Sequence, residues 1–235
     1  MRGSNRNVAG LEELLDQRHS CRGFLPDQVP AETITRIFDL AQRTASWCNT
    51  QPWQVHVTSG EGTSRFAKGL TEHAAASAVQ SDLPMPSDYA GVYQERRRES
   101  GFALYNALGI DRGDRAGRAE EALRNFSFFG APHTAVITTD KAQGVYGAID
   151  CGGYAATLLL AAQSLGVATV AQASIAMYSD YVRSFLDLPE DRLVVCAVSF
   201  GFEDPEHPAN ALRTSRAEVS EAVRILLHNL PYWLK

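Results

Sequence analysis

Residues 148–165, AIDCGGYAATLLLAAQSL, are the most apolar long stretch of the chain, and their interruptions decide how the rest is read. Asp150, Gly152, Gly153 and Gln163 break the run too often for a membrane span, so it reads as a helix buried in a protein core. Working outward, HTAVITT at 133–139 precedes it as a strand, and VATVAQASI at 167–175 leaves it through Gly166 as another. RLVVCAVSFGF at 192–202 is the strongest strand pattern. Further upstream, QVHVTSG at 54–60 alternates, with Val55 and Val57 on one side.

Helical spacing appears between these strands. Leu11, Leu14 and Leu15 share a face over 10–17. Pro30 and Glu32 open a helix over 31–43 that carries Ile34, Ile37, Phe38 and Ala41 on one side. Residues 61–80 read as helix, and Ser179 or Asp180 is expected to cap a helix over 181–186. Beyond Pro205 the chain is expected to be extended, with a short helix near 219–227 and an aromatic end, PYWLK. Helices and strands in this mixed order predict an α+β protein, a mostly antiparallel sheet flanked by helices, in a single domain over 1–235.

Residues 81–130 break the pattern. They are rich in proline, charge and tyrosine, and too long for a simple loop. They read either as one or two mobile helices forming a lid over a site, or as a solvated helical arm.

Composition narrows the function classes. The 235 residues are 45% hydrophobic and 21% charged, ordinary for a globular chain. A net charge of −5 argues against a general nucleic-acid binder. The N-terminus MRGSNRNVAG has no apolar signal core, and Cys21, Cys48, Cys151 and Cys196 have no metal-ligand spacing, so reduced thiols in the cytoplasm are expected, with no membrane association. The histidines show no HxH or HExxH, which leaves a zinc site unsupported. No GxGxxG follows a strand, and neither GxxxxGK[ST] nor GxSxG occurs, so a Rossmann site, a P-loop and a nucleophile elbow are also unsupported.

Three clusters carry candidate chemistry. Arg18, His19, Ser20 and Arg22 put permanent, fork-shaped cations beside a hydroxyl, which suits a phosphate or a ring edge. Cations completing a helix C-terminus would look the same. Ser46, Trp47, Cys48, Asn49 and Gln51 pack hydroxyl and amide groups between tryptophans, as a site for a planar ring with polar edges would. A capped helix end with packed aromatics is the alternative. Asn210, Arg213 and Arg216 bracket Thr214 and Ser215, either as an anion clamp or as a solvated tail.

Taken in order, RHSCRGF (18–24), ASWCNTQPW (45–53), FGAPH (129–133), DCGGYAATLLLAAQSLG (150–166) and NALRTSR (210–216) resemble the nitroreductase family over nearly the whole chain. The resemblance implies an FMN-binding α+β sandwich and an intertwined homodimer with FMN at the subunit seam. It implies that residues 205–235 wrap the partner and that the apolar helix packs in the dimer core. Arg18, His19, Ser20 and Arg22 would form the first FMN segment. Ser46, Trp47, Cys48, Asn49 and Gln51 would reach the flavin, mostly from the opposite subunit. Gln172, Ala173 and Ser174 would pass their amides near the ring, and Arg213 and Arg216 would close on the phosphate. Ala45 departs from the proline that many members carry before the serine, which loosens that loop.

The implied activity is ping-pong, two-electron reduction of small aromatic acceptors such as nitroarenes and quinones by NAD(P)H. No side chain would act as a covalent catalyst. Tyr89, Tyr93, Phe126 and Phe128 are expected to enclose the acceptor. Arg96, Arg97 and Arg98 would admit a carboxylate or the 2′-phosphate of NADPH, a slight lean toward NADPH, unless they are a solvated run. Reductive dehalogenation or flavin fragmentation on the same scaffold, and a non-catalytic flavin-binding protein, are the competing readings.

Overall fold

The computed structural model of the chain describes residues 6–225. The aromatic end PYWLK and residues 226–227 of the expected last helix lie outside them. Four strands, β1 (Trp53–Ser59), β2 (His133–Asp140), β3 (Ala168–Gln172) and β4 (Arg192–Gly201), form one antiparallel sheet in the order β1-β2-β4-β3. The expected strand over 167–175 is shorter than its apolar pattern. It gives way to a 3-10 turn at Ala173–Met177, so Ala173 and Ser174 sit on that turn rather than on a strand.

Helices cover both faces of the sheet. On one face lie α2 (Ala31–Ala41) and α6 (Gly144–Ser164); on the other lie α3 (Glu61–Ala76) and α7 (Ser179–Leu186). Period-2 alternation sorts the side chains. Ala135 and Ile137 of β2 face the α2/α6 core with Val198 and Phe200, while Val136 and Ala197 face the α3/α7 core with Phe66 and Leu70. With both sides covered, His133 to Thr139 are all buried. A bulge between Ile137 and Thr138 adds one residue to β4, so Val195 and Cys196 turn to the same core.

Helix α6 is the pivot. It buries Gly147, Cys151, Tyr154, Leu158 and Ala162 in a helical stripe against the sheet. Gly147 is required there, because a Cβ would strike the Thr139 hydroxyl. By length and composition α6 would suffice to cross a membrane. Its buried stripe instead makes it a core helix, and its opposite flank presents Val145, Tyr146 and Ile149 outward.

The remaining elements are α1 (Arg6–Gln17), α4 (Gly91–Ala107), α5 (Arg115–Leu123) and α8 (Val219–Ala222). The helix expected over 61–80 stops at Ala76, because Ser77 turns to extended backbone and Gln80 forms a parallel bridge with Tyr178. No side chain caps α7. The Ser179 hydroxyl donates backward to the Ala176 carbonyl and accepts from the Asp82 amide, so the expected capping role of Ser179 or Asp180 gives way to a tie on the 81–90 connection.

Candidate functional site

The arginine clusters meet because the chain's two ends are sewn together beside β3. Ser20 bridges Thr169 in parallel, the Cys21 amide donates to the Thr169 carbonyl at 3.0 Å, and Phe24 bridges Glu203. Asn210, buried on the returning tail, completes the seam. Its Oδ1 accepts from the Arg22 amide at 2.7 Å, and its Nδ2 donates to the carbonyls of Gly23 (2.8 Å) and Asp204 (2.9 Å). Gly23 must be glycine here, since a Cβ would run into the His207 ring. Asn210 is therefore a positioning residue that fixes Arg22 against the tail.

The result is a cleft of about 320 Å³ lined by Arg18, Ser20, Arg22, Arg213 and Arg216 with His19, and among the described residues Asp16 is the one carboxylate in its lining. Among the described residues, none of these arginines forms an ion pair. Burial, and then the Arg216 charge, lower the Arg18 pKa. Burial lowers that of Arg22 against the opposing pull of Glu121. Like charges crowded without carboxylate partners are costly unless an anion joins them. Three of the four guanidiniums are braced locally. Arg213 donates to the carbonyl of Asn210 at 2.7 Å, Arg216 to Thr214, and Arg22 to the carbonyl of Ser20. His19 points its Nε2 at Glu203 and its Nδ1 at the Gln17 carbonyl, each 3.1 Å away, which commits both ring nitrogens to structure.

Sequence reasoning missed Arg124 and Asn125, at the end of α5. Arg124 donates to the Arg22 carbonyl at 3.0 Å and pairs with Glu121 at 3.3 Å. Asn125 accepts from the Gln172 and Ser174 side chains. Neither stands in a motif, so only their spatial neighbours reveal them. Gln172 is buried, and its side chain is fully engaged between Asn125 and the Ser199 hydroxyl at 2.6 Å, which leaves the 172–174 backbone for any ring edge. Ala173 is exposed there.

The second cluster lies elsewhere on the subunit. None of Ser46, Trp47, Cys48, Asn49 or Gln51 lines the arginine cleft. Trp47 packs edge-on against Tyr146 of α6 with ring centroids 4.2 Å apart, and its amide donates to Asp150. The Ser46 hydroxyl accepts from the Gln51 amide at 2.9 Å. Cys48, Asn49 and Gln51 hold φ of 49°, 56° and 48°, left-handed conformations that cost non-glycine residues roughly 1 kcal/mol or more each.

Two expected acceptor contacts are corrected. Phe126 and Phe128 are buried in the α3/α7 core, where Phe128 packs on Phe66 at 5.1 Å and Phe126 meets Tyr178 at 5.2 Å. A short turn with φ of 56° and 53° at Phe128 and Phe129 drives the rings inward. Tyr89 and Tyr93 do face solvent, at the start of the α4 segment.

An antiparallel sheet between helical layers, with the chain's two ends gathered into a cleft of arginines that no carboxylate pairs among the described residues, defines a protein built to hold a phosphorylated ligand at one sheet edge. The chain belongs to the nitroreductase family, whose model matches residues 15–202. It is 40% identical over 217 residues to nitroreductase NfnB of Mycolicibacterium smegmatis, covering 91% of each chain. It is 34% identical over 206 residues to a 4-nitrobenzoate reductase of Pseudomonas putida, covering 88% of this chain and 91% of that one. Its fold superposes on the crystal structure of the FMN-dependent nitroreductase NfnB from Mycobacterium smegmatis in complex with NADPH, with a TM-score of 0.88 and 37% identity over 93% of this chain and 98% of that one.

Proposed function

We propose that the arginine cleft holds the phosphate of FMN and that the chain is an FMN-dependent NADPH oxidoreductase reducing nitroaromatic compounds, with quinone-like acceptors as further substrates. The observation that carries this reading is the convergence of Arg18 and Arg22 with Arg213 and Arg216 around one cleft without a paired carboxylate. Bidentate guanidiniums match phosphate oxygens, and the Ser20 hydroxyl adds a neutral donor. The donor set therefore fits the group.

When bound, FMN supplies the hydride-transfer chemistry that protein side chains lack. The chain's own task is to hold and orient. The arginines neutralise the phosphate, and Asn210 and Arg124 keep Arg22 in register. Because the Gln172 and Ser174 side chains are held by Asn125, the 172–174 segment is rigid, and its main-chain groups are left to meet a ring edge. The strained 46–51 loop contributes to the cleft of a second subunit, which places the site at a homodimer seam. The flank of that seam is the apolar face made by Trp47, Tyr146 and Ile149. The 81–130 segment serves as the lid, and the 205–225 tail reaches toward the partner. Free Cys21, Cys48, Cys151 and Cys196 fit a reducing cytoplasm.

The test is the visible spectrum of the purified protein. A flavin band, bleached by NADPH and restored by a nitroarene, is the expected result. Colourless protein that cannot be reconstituted with FMN would overturn the reading.

A further inference from the structure

A second cationic cleft, of about 370 Å³, opens beneath α4 on the far side of Arg22. Arg22, Arg97, Arg98 and Arg118 line it together with Phe102 and Tyr105. Arg22 and Leu212 line both clefts, so the two are contiguous. Among the described residues no carboxylate lines it, and four neighbouring ones have other partners. Glu121 pairs with Arg124 (3.3 Å), Glu221 with Arg96 (2.8 Å), Glu99 accepts from the Ser215 hydroxyl, and Asp114 caps α5 through the Gly117 amide. Among the described residues, Arg22, Arg97, Arg98 and Arg118 form no ion pair. Arg118 lies over the Tyr105 ring at 6.0 Å and Arg112 over Phe102 at 4.5 Å, so the cations are arrayed on flat aromatic surfaces.

Unpaired guanidiniums beside aromatic rings recognise an oxyanion attached to a planar ring. The phosphate cleft already accounts for Arg18, Arg213 and Arg216, and it does not explain Arg97, Arg98 or Arg118. We infer that the α4 cleft is a specificity subsite for one of the two redox partners. It binds an anionic group borne next to a flat ring, either an arene carboxylate on the acceptor or the adenosine 2′-phosphate of the donor, and Arg97 and Arg118 are its specificity-determining residues. This rests on the proposed flavin reductase activity and adds to it which molecules the enzyme prefers.

The test uses the FMN-loaded enzyme and the double variant Arg97→Gln/Arg118→Gln, which leaves Arg22 and the phosphate clamp untouched. KM is measured for a nitrobenzoate against the matching nitrobenzamide, and for NADPH against NADH. In parallel, benzoate and adenosine 2′,5′-bisphosphate are titrated calorimetrically against benzamide and 5′-AMP. If the acceptor supplies the anion, the variant raises KM for the nitrobenzoate and weakens benzoate at least tenfold. The nitrobenzamide and NADPH then stay within about twofold of wild type. If the donor supplies it, NADPH and the bisphosphate weaken while NADH and 5′-AMP do not. Either selective pattern supports the subsite and names its ligand. Equal changes for charged and neutral partners, or no change, would overturn it. Wild-type turnover of the nitrobenzamide reports the underlying activity separately, so loss of that turnover indicts the reductase reading, whereas unselective turnover indicts the subsite alone.

Discussion

At the residue scale, the site depends as much on a buried amide as on its exposed cations. Asn210 satisfies the Arg22 amide and two carbonyls, of Gly23 and Asp204, from a buried position. Asn210→Ala removes these bonds and strands their partners, a cost of about 2–4 kcal/mol if each net bond is worth about 1 kcal/mol. The expected outcome is a lower denaturant midpoint together with at least tenfold weaker FMN binding, because Arg22 loses its register. Asn210→Asp keeps the acceptor for the Arg22 amide but sets a carboxylate oxygen against the carbonyls of Gly23 and Asp204, and should destabilise at least as much. Unchanged flavin affinity in a destabilised Asn210→Ala protein would remove the positioning role. Charge type made the cleft's cations legible in the sequence. Arg18, Arg22, Arg213 and Arg216 are permanent donors with hydroxyls beside them, and they line one cleft. Phe126 and Phe128 mislead for the opposite reason. An aromatic ring suits both a ligand and a core, and only the turn at Phe128 decides between them.

Among the elements, α4 stands apart. It runs for 17 residues without burying one, and its charges are spread around the helix. The ties binding it to the tail are the Arg96–Glu221 pair at 2.8 Å and the Ser215–Glu99 hydrogen bond at 2.8 Å. Exposed pairs of this kind contribute about 0.2–1 kcal/mol. Helix α4 should therefore open locally far more readily than α6, which is packed against all four strands. Hydrogen exchange should find α4 amides exchanged long before those of α6. Arg96→Ala should speed α4 by less than about fivefold and leave α6 unchanged. Equal protection of the two helices would contradict a mobile lid. The same contrast explains what the sequence disclosed about elements. Strands β2 and β4 announce themselves because cover on both faces favours long runs of mainly apolar and β-branched residues. The order β1-β2-β4-β3 stays hidden, because β1–β2 and β2–β4 pair residues more than fifty positions apart and even β3–β4 is joined across an intervening helix. The end of α3 at Ala76 and the turn at Ala173–Met177 come from contacts of Gln80 and Asn125 that no local periodicity encodes.

For the whole molecule, the decisive question is what covers the outer flank of α6. Val145, Tyr146 and Ile149 are 67%, 51% and 59% exposed, and Trp47 beside them is 55% exposed. Gly152, Gly153 and Ala156 continue this flank as small exposed residues, a surface that lets another helix approach closely. A lone subunit would leave this face in water, although burying a large apolar side chain is worth about 1.5–3 kcal/mol. The arginine cleft and the strained 46–51 loop also sit apart on one subunit. A second copy resolves both facts if α6 packs on its counterpart and the loop of one chain reaches the cleft of the other. Ile149→Glu tests this, because it sets a carboxylate against the same carboxylate across a symmetric contact while leaving Arg18, Arg22, Arg213 and Arg216 in place. Light scattering should then report a monomer where wild type is a dimer, and the monomer should lose its flavin colour although its phosphate clamp is intact. Ile149→Leu, which keeps the apolar contact, should remain a yellow dimer. A wild-type protein that is monomeric and yellow would refute the seam, and an Ile149→Glu monomer that keeps FMN would confine the whole cofactor site to one chain.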